Sequence, residues 1–297
     1  MKRVCLTFDI DYTDYYTGNQ IDEITLAFPK IKCLLKEFQQ VKTTWFIRID
    51  GQIKHLFGKP DYILKNHREE IEWLQQNGHE IGWHYHAYRK SRIGWKQETD
   101  EDVICKELQI FGELAQNHGM HSVRMGWGFH TNKTIKMLDN MDFSIDSSAI
   151  PRPCYKWDQS KKDWSITPNH PYYPSQDDYR VPGLPSLSIL EIPISTVHLP
   201  LPTDTEPGVI RYINPAYYHS KFSDIVDKTC YSDIVAISHP YEILKGRNTS
   251  PLISFKMTES RKNILFLVER GYCFLTIKNF ASEWEKEKQI SNYGKNS

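Results

Sequence analysis

The sequence predicts an α/β fold in which parallel strands alternate with crossover helices. Short segments rich in apolar, β-branched and aromatic residues, such as 4–8 and 233–238, are typical of buried strands. Longer segments, such as 100–118, carry apolar residues at helical spacing. The two kinds of segment follow one another along most of the chain, which is the pattern of parallel strands joined by helices.

Nine elements are predicted before residue 150, each from the period of its apolar residues. They are a strand at 4–8, a helix at 27–40, a strand at 43–49, a helix at 61–77, a strand at 80–84, a helix at 100–118, a strand that passes into a Gly-punctuated loop within 121–128, a helix at 132–141 and a strand at 143–148. Pro29 suits a first helical turn, and Gly78 and Gly119 suit helix ends. Thr131 or Asn132 suits an N-cap.

The alternation stops at 155–187, a segment rich in Pro, Tyr, Trp and Asp. We interpret it as a long ordered insertion over one face of the fold, because ordered loops of this length are usually functional. The alternation then returns with a strand at 187–194, a helix at 215–227, a strand at 233–238, a helix at 260–269, a strand at 272–276 and a helix at 278–288. We find no internal repeat or low-complexity linker, which favours a single domain over 1–297.

Composition narrows the classes of protein that the chain could represent. Lys+Arg and Asp+Glu are both 37, and this zero net charge argues against a nucleic-acid partner. No apolar run reaches the roughly 20 residues of a membrane-spanning helix, and no signal peptide precedes the first strand. We therefore expect a cytoplasmic protein without a membrane span. Six scattered cysteines indicate reduced thiols, with packing roles for Cys5, Cys33 and Cys273.

Residues capable of chemistry lie at the carboxyl ends of four predicted strands. They are Asp9 and Asp11, His84 and His86, Arg124 and Trp127, and His239. Imidazoles and carboxylates are zinc ligands, and catalytic groups collect at the carboxyl ends of strands in α/β barrels. Taken singly, Asp9 and Asp11 could belong to a solvated acidic loop, and His239 could be a turn residue. Asp146, at another strand end, could orient His239 or serve as a cap.

Five segments, in order, resemble motifs of the polysaccharide deacetylase family, carbohydrate esterase family 4, also called the NodB-homology fold. The most specific is Gly78-His79-Glu80-Ile81-Gly82-Trp83-His84, which resembles the family's Gly-His-Glu-Ile-Gly-x-His block. The others are Thr7-Phe8-Asp9-Ile10-Asp11, Arg124-Met125-Gly126-Trp127-Gly128, Ile237-Ser238-His239-Pro240, and the tail 266–276. The resemblance covers most of the chain.

The resemblance implies a distorted (β/α) barrel of seven strands, related to the TIM barrel, and metal-dependent deacetylation of sugars. It implies that Asp9 is the general base and that Asp11 and His84 bind the metal. It also implies that Arg124 holds the base and that His239 is the general acid. His79 lies within the family's block but is not a ligand there, and we interpret it as a structural histidine.

One position departs from the family pattern. The family's second metal-binding histidine lies four residues after the first, and Tyr88 occupies that position here. His86 is the available substitute, because residues two apart point the same way on extended backbone. The predicted metal ligands are therefore Asp11, His84 and His86. A weaker site with two ligands, or no metal, are the alternatives.

The predicted function is metal-dependent hydrolysis that removes an acyl group, N-acetyl in particular, from a carbohydrate. The expected metal is Zn²⁺, with Co²⁺ as a substitute, and the expected substrate is a precursor in cell-surface polysaccharide synthesis. Trp127 and Tyr85 are the predicted sugar platforms, with Trp83 and the pair Tyr172 and Tyr173 as further candidates. Two alternatives remain open: a metal-free saccharide-binding protein on this fold, and hydrolysis of a C–N bond in a non-sugar substrate.

Overall fold

A computed structural model describes residues 1–12, 22–92, 94–151, 154–157, 160–202, 210–229, 231–244 and 250–293. The strands are β1 (Lys2–Ile10), β2 (Thr43–Arg48), β3 (Glu80–Tyr85), β4 (Tyr88–Ser91), β5 (Gly94–Gln97), β6 (Ser122–Met125), β7 (Ile145–Asp146), β8 (Cys154–Trp157), β9 (Ser160–Asp163), β10 (Leu190–Glu191), β11 (Thr196–His198), β12 (Ile210–Tyr212), β13 (Asp233–Ser238) and β14 (Tyr272–Phe274). The α-helices are α1 (Glu23–Glu37), α2 (Gly51–Phe57), α3 (Tyr62–Asn66), α4 (Arg68–Gln76), α5 (Glu101–Asn117), α6 (Asn132–Asn140), α7 (His219–Thr229), α8 (Met257–Glu269) and α9 (Ile277–Tyr293).

Seven parallel strands form the main sheet, in the order β10-β7-β6-β3-β2-β1-β13, and β14 pairs with the start of β1. The chain between the edge strands β10 and β13 brings those edges together. The Ser195 amide donates to the Val235 carbonyl at 2.9 Å, and the Ile237 amide donates to the Ile213 carbonyl at 3.0 Å. The sheet is thus curled into a distorted (β/α) barrel, and the predicted fold class is confirmed.

Helix α5 illustrates why the outer helices form where they do. The Asp100 side chain accepts hydrogen bonds from the amides of Asp102 and Val103, which caps the helix start. Its apolar residues then fall on one face, and Ile104, Leu108 and Phe111 are buried among them. Shortening such a buried leucine to alanine typically costs about 2–5 kcal/mol.

The amino end of the barrel is closed by paired polar groups beneath α9. The Arg3 guanidinium donates to both carboxylate oxygens of Asp233 at 2.7 and 2.9 Å and lies 3.0 Å from Glu287. The Glu80 carboxylate accepts from the Thr44 hydroxyl at 2.9 Å and from the Lys278 amide at 2.9 Å. This end is therefore sealed, which leaves the carboxyl ends of the strands as the open end.

Several predicted boundaries differ from the structure, and local hydrogen bonds explain the first three. Helix α1 begins four residues early because the Asp22 side chain caps the Thr25 amide. The predicted helix at 61–77 is two helices, because the chain turns at His67, whose ring contacts the Tyr12 hydroxyl at 3.0 Å. Helix α2, which was not predicted, starts where Asp50 caps the Ile53 amide.

Other elements are shorter or longer than predicted. The predicted strands at 143–148 and 187–194 have only two paired residues each, because their remaining residues pass into the loops at the open end. The helix predicted from 215 starts at His219, and the final helix runs on to Tyr293. The hairpins β4–β5, β8–β9 and β11–β12 were not predicted.

The predicted insertion begins with the β8–β9 hairpin and continues as an ordered loop. Its buried Trp164 donates from the indole nitrogen to the Gly128 carbonyl at 2.9 Å. The Tyr179 amide donates to the Asn132 side chain at 2.9 Å, which ties the loop to α6. The insertion therefore packs against the turn that carries Trp127 and against the start of α6.

The cysteine predictions are partly corrected. Cys5 is buried, as expected, but Cys33 and Cys273 are exposed, because their helix and strand positions face solvent. Both are free thiols, as is Cys105. No helix within the described ranges is both long and apolar enough to cross a lipid bilayer.

Candidate metal centre and active-site cavity

The carboxyl ends of β1, β3, β6 and β13 meet at one cavity of about 560 Å³. The residues predicted from the four strand ends line it together: Asp9, Asp11, His84, His86, Arg124, Trp127 and His239. Strand register accounts for part of this meeting. His84 pairs with Arg48 on β2 and with Arg124 on β6, so these three side chains start at the same level of the barrel.

Three of these side chains bring their ligand atoms together. Oδ1 of Asp11 lies 3.3 Å from Nε2 of His86 and 3.6 Å from Nε2 of His84, and the two Nε2 atoms are 3.0 Å apart. Tetrahedral ligands about 2.1 Å from a zinc ion would be about 3.4 Å from one another. The residues present therefore fit a divalent metal with three protein ligands.

The ring of His84 is oriented by its second nitrogen. Nδ1 lies 2.8 Å from the backbone carbonyl oxygen of Arg124. A carbonyl can only accept, so Nδ1 carries the proton and Nε2 presents a lone pair to the cluster. This arrangement is the usual one for a metal-binding histidine, whose other nitrogen donates to a fixed acceptor.

His86 points the same way as His84 because the chain stays extended past β3. Burial, with the neighbouring His84 as a further cause, lowers the pKa of His86 to about 3, which keeps the imidazole neutral. Gly126 makes room for this ring. A Cβ at Gly126 would lie 2.3 Å from both Cε1 and Nδ1 of His86.

The Asp11 carboxylate is ionised despite its surroundings. Burial alone would raise its pKa, but contacts with His84 and His86 and the positive charge of His239 outweigh this. The pKa of Asp11 therefore lies well below its ordinary value. An ionised carboxylate beside two imidazoles is a donor set that suits zinc.

Asp9 is held by a buried ion pair. Nη1 of Arg124 donates to Oδ1 of Asp9 at 2.8 Å and to the Thr7 hydroxyl at 2.7 Å. The rest of the guanidinium donates to the backbone carbonyl and the hydroxyl of Ser147 at 2.7 and 2.9 Å. The other oxygen of Asp9, Oδ2, lies 4.0 Å from Nε2 of His84, so it faces the ligand cluster.

His239 faces the cluster from β13, with its Nε2 3.8 Å from Oδ2 of Asp11. Its Nδ1 lies 3.5 Å from Glu242, a buried carboxylate that also accepts from the Ser238 hydroxyl and the Asn214 amide group. Burial would lower the pKa of His239, but Glu242 and the charge of Asp11 raise it to about 10. The imidazole is therefore protonated at neutral pH.

The residue that orients His239 is Glu242 and not Asp146. Asp146 is fully buried, and its Oδ2 lies 2.9 Å from Nε2 of His130. Its Oδ1 accepts from the Ser148 hydroxyl, which itself accepts from the Met125 amide. Asp146 thus fixes the loop beside the arginine motif. The sequence did hold a signal for Glu242, since it follows His239 by three residues, the spacing of a capping pair.

The rest of the cavity lining is mostly apolar and aromatic. It includes Met125, Trp127, Ile150, Ile194, Tyr212, Ile237 and Tyr241. Trp127 has a positive φ of 62°, an unfavourable backbone conformation that costs about 1–3 kcal/mol and often marks functional sites. Tyr212 and Tyr241 were not predicted, because no motif distinguishes them from other tyrosines in the chain.

The other predicted sugar platforms lie away from the cavity. Tyr85 is fully buried on the opposite face of β3 from His84, and its hydroxyl donates to Glu107 at 2.7 Å. Adjacent residues of a strand point to opposite faces, so Tyr85 could not share the cavity with His84. Trp83 and Tyr172 are buried elsewhere, and the Tyr173 hydroxyl donates to Glu285 on α9. Of the described platform candidates, only Trp127 is retained.

His79 is structural, as interpreted from the sequence. Its Nδ1 accepts from the Thr43 amide at 3.1 Å, and its ring stacks on Trp73. It lies at the amino end of β3, away from the cavity. Burial, followed by the charge of Lys42, lowers the pKa of His79 to about 4.

Comparison with known proteins gives matches at the level of structure. No family model and no curated protein matches the chain. The crystal structure of a candidate polysaccharide deacetylase from Mycobacterium smegmatis is 18% identical with a TM-score of 0.53, and the match covers 97% of this chain and 92% of that one. The 4-alpha-glucanotransferase from Thermococcus litoralis is 12% identical with a TM-score of 0.56, covering 95% of this chain and 40% of that one.

These matches concern the fold. The chain has the polysaccharide deacetylase fold that the sequence resemblance implied. A fold of this kind also occurs in a protein named for a different reaction on carbohydrate. The activity must therefore be argued from the side chains of the cavity.

Proposed function

We propose that the protein is a metal-dependent hydrolase that removes an acyl group, N-acetyl in particular, from a carbohydrate. The observation that supports this most strongly is the meeting of three kinds of group in one cavity. They are a ligand cluster, a carboxylate fixed by an arginine, and a protonated imidazole. Hydrolysis of an amide needs an electrophilic catalyst, a base and an acid, and these groups can supply all three.

The metal in this proposal is divalent, Zn²⁺ or Co²⁺, and Asp11, His84 and His86 hold it. Their ligand atoms are separated by 3.0, 3.3 and 3.6 Å, close to the spacing around a tetrahedral ion. Such an ion would supply Lewis acidity to the amide carbonyl and to the attacking water.

Asp9 is the general base. Its Oδ2 accepts a proton from the water that attacks the carbonyl carbon, while Arg124 holds Oδ1 at 2.8 Å. Because the guanidinium is itself fixed by Ser147 and Thr7, the carboxylate cannot rotate away during the reaction. Base catalysis of this kind typically contributes about 10²–10⁴-fold in rate.

His239 is the general acid. As the C–N bond breaks, the nitrogen of the leaving amine takes a proton from the imidazolium, since an amide anion is a poor leaving group. The products are a carboxylate and a free amine on the sugar. Glu242 holds the opposite nitrogen of the ring and stabilises its charge.

The aromatic side of the cavity supports a sugar as the substrate. Trp127, Tyr212 and Tyr241 line it, and aromatic faces pack against the C–H faces of a pyranose ring. The cytoplasmic location and the precursor of cell-surface polysaccharide stay predictions from the sequence.

A second candidate is hydrolysis of a C–N bond in a non-sugar substrate. The observation that favours it is the apolar wall of Met125, Ile150, Ile194 and Ile237, which offers few partners for hydroxyl groups. A metal-free saccharide-binding protein is less well supported, because it would need neither the Asp9–Arg124 ion pair nor the ligand cluster.

The test is acetate release from N-acetylated oligosaccharides by the full chain, after chelation and after addition of Zn²⁺ or Co²⁺. We expect release only with metal, at about one metal per chain. Equal release with and without metal, or no stoichiometric metal binding, would contradict the proposal. Metal binding without release from any N-acetylated sugar would favour the non-sugar substrate.

A further inference from the structure

The two histidines of the ligand cluster are oriented in different ways. The Nδ1 atom of His84 is held by the Arg124 carbonyl at 2.8 Å. The Nδ1 atom of His86 is buried and has no hydrogen-bond partner among the described residues. A metal-binding histidine usually donates this second N–H to a fixed acceptor. Something other than a hydrogen bond must therefore hold the Nδ1 side of the His86 ring, although Nε2 on the other side lies 3.0 Å from Nε2 of His84.

Packing against Tyr88 is the feature that can do so. The rings of His86 and Tyr88 are stacked, with centroids 4.7 Å apart and planes 27° apart. Tyr88 is itself buried, at the start of the β4–β5 hairpin. Gly126 approaches the same imidazole so closely that no side chain fits there. The ring of His86 is thus confined between Tyr88 on β4 and Gly126, which directly follows β6.

Tyr88 is in turn backed by Arg48, which is fully buried. The Arg48 guanidinium carbon lies 5.5 Å from the centroid of the Tyr88 ring. Its Nε donates to Asp50 at 2.6 Å, and its Nη2 donates to Gln52 at 2.8 Å. These two bonds fix the plane of the guanidinium, so it cannot turn away from Tyr88.

Arg48 also reaches the carboxylate ligand. Its Nη1 donates to the backbone carbonyl of Asp11 at 2.9 Å. Asp11 follows the end of β1, where the sheet no longer holds the chain. One guanidinium therefore connects the backbone of one predicted ligand, Asp11, to the aromatic ring that supports another, His86.

We propose that Tyr88 and Arg48 are positioning residues that hold His86 and Asp11 at ligand distance from each other. This inference rests on the proposed metal site. It assigns a supporting role to Tyr88, which occupies the position of the family's second histidine. Here Tyr88 packs against His86, the predicted ligand two residues earlier. Arg48 contacts both the Tyr88 ring and the backbone carbonyl of Asp11.

The test is Co²⁺ binding to the metal-free full chain, followed by visible absorption, with thermal unfolding measured for every variant. Co²⁺ absorption reports ligand geometry directly, independently of turnover. Tyr88→Leu removes the stacked ring, and Tyr88→Phe keeps it. Arg48→Met removes the guanidinium. Arg3→Met is the matched control, because Arg3 is also a buried arginine paired with a carboxylate, at the amino end of the barrel.

We expect Tyr88→Leu and Arg48→Met to weaken Co²⁺ binding by about 10- to 100-fold, the usual effect of removing support behind a ligand. Their absorption bands should shift, because His86 would sample other orientations. Tyr88→Phe should keep the Co²⁺ affinity and the spectrum of the unchanged protein. Arg3→Met should lower the melting temperature without changing either.

Wild-type affinity and spectrum in Tyr88→Leu would overturn the inference, and this variant decides it even if Arg48→Met does not fold. Equal loss of affinity in Arg3→Met would also overturn it, because the effect would then be general destabilisation. Unchanged protein that binds Co²⁺ tightly but releases no acetate would contradict the proposed function alone. Unchanged protein that binds no Co²⁺ would contradict both.

Discussion

The two ends of the barrel use the same types of side chain in different arrangements. Each end has a buried arginine paired with a carboxylate: Arg3 with Asp233 at the amino end, and Arg124 with Asp9 at the carboxyl end. Each end also has buried histidines. At the amino end His79 accepts from the Thr43 amide, whereas at the carboxyl end Nε2 of His84 faces Nε2 of His86 at 3.0 Å.

The two ends of the barrel differ in the partners that surround their buried polar groups. At the amino end, the Arg3 guanidinium and the Thr43 amide donate to acceptors of Asp233 and His79. At the carboxyl end, two imidazole nitrogens and a carboxylate oxygen converge beside an open cavity. Such a cluster gains little from its own contacts and much from a cation. Both ends contain an arginine–carboxylate pair, so what distinguishes the carboxyl end is the convergence of three ligand atoms on one cavity.

The largest expected effect comes from exchanging one carboxylate at each end for its amide. Asp9→Asn should lower acetate release by about 10²–10⁴-fold, because the amide cannot accept the proton of water. Metal affinity should change little, since Asp9 is not among the three ligands. Both quantities are measured on metal-loaded protein, with Co²⁺ titration alongside the rate.

Asp233→Asn is the matched control at the amino end. It should lower the free energy of unfolding by about 1–3 kcal/mol, because the charged hydrogen bonds to Arg3 are weakened. Its rate of acetate release should be unchanged. If Asp233→Asn lost activity as severely as Asp9→Asn, the two ends would not differ in function as argued.

The convergence of these side chains at the carboxyl end was largely predictable from the sequence, and strand geometry explains why. Carboxyl ends of parallel strands meet at one end of a barrel, so polar residues following different strands converge wherever they lie in the chain. His86 could be predicted beside His84 because extended backbone has a period of two. The same period excludes Tyr85, which we had interpreted as a sugar platform.

The supports of the site were harder to predict, because they depend on packing between distant segments. Arg48 follows an apolar strand just as Arg124 does, yet only the structure shows its bond to the Asp11 carbonyl. From the sequence we named only Asp146 as a partner for His239, whereas the structure places Glu242 there. The choice between them depends on the loop after β13, which turns Glu242 back towards the histidine.

A second prediction concerns the acid at the carboxyl end. His239→Gln should lower the rate on an N-acetyl sugar by about 10²-fold, because the leaving amine needs a proton. The rate on 4-nitrophenyl acetate should fall less than about tenfold, because a nitrophenolate leaves without protonation. The ratio of the two losses is the measurement.

The control for that ratio is His130→Gln, another buried histidine beside a carboxylate, with Nε2 2.9 Å from Asp146. It lies outside the cavity lining, so it should change both rates by the same factor. Equal losses on the two substrates for His239→Gln would mean that this imidazole does not protonate the leaving group.

The smallest expected effect tests the amino end through pH. The pKa of His79 is lowered to about 4, so the unfolded chain binds a proton that the folded chain excludes as pH falls below the ordinary value of about 6.5. His79 therefore lowers the free energy of unfolding by about 2 kcal/mol as the pH falls from 7.5 to 5.

Urea unfolding at both pH values should show a smaller decrease in this free energy for His79→Gln than for the unchanged protein. The exposed His170→Gln serves as control and should keep the full decrease. If His79→Gln kept it as well, the histidine of the amino end would not be held neutral by its burial, and the acid sensitivity would have to come from other groups.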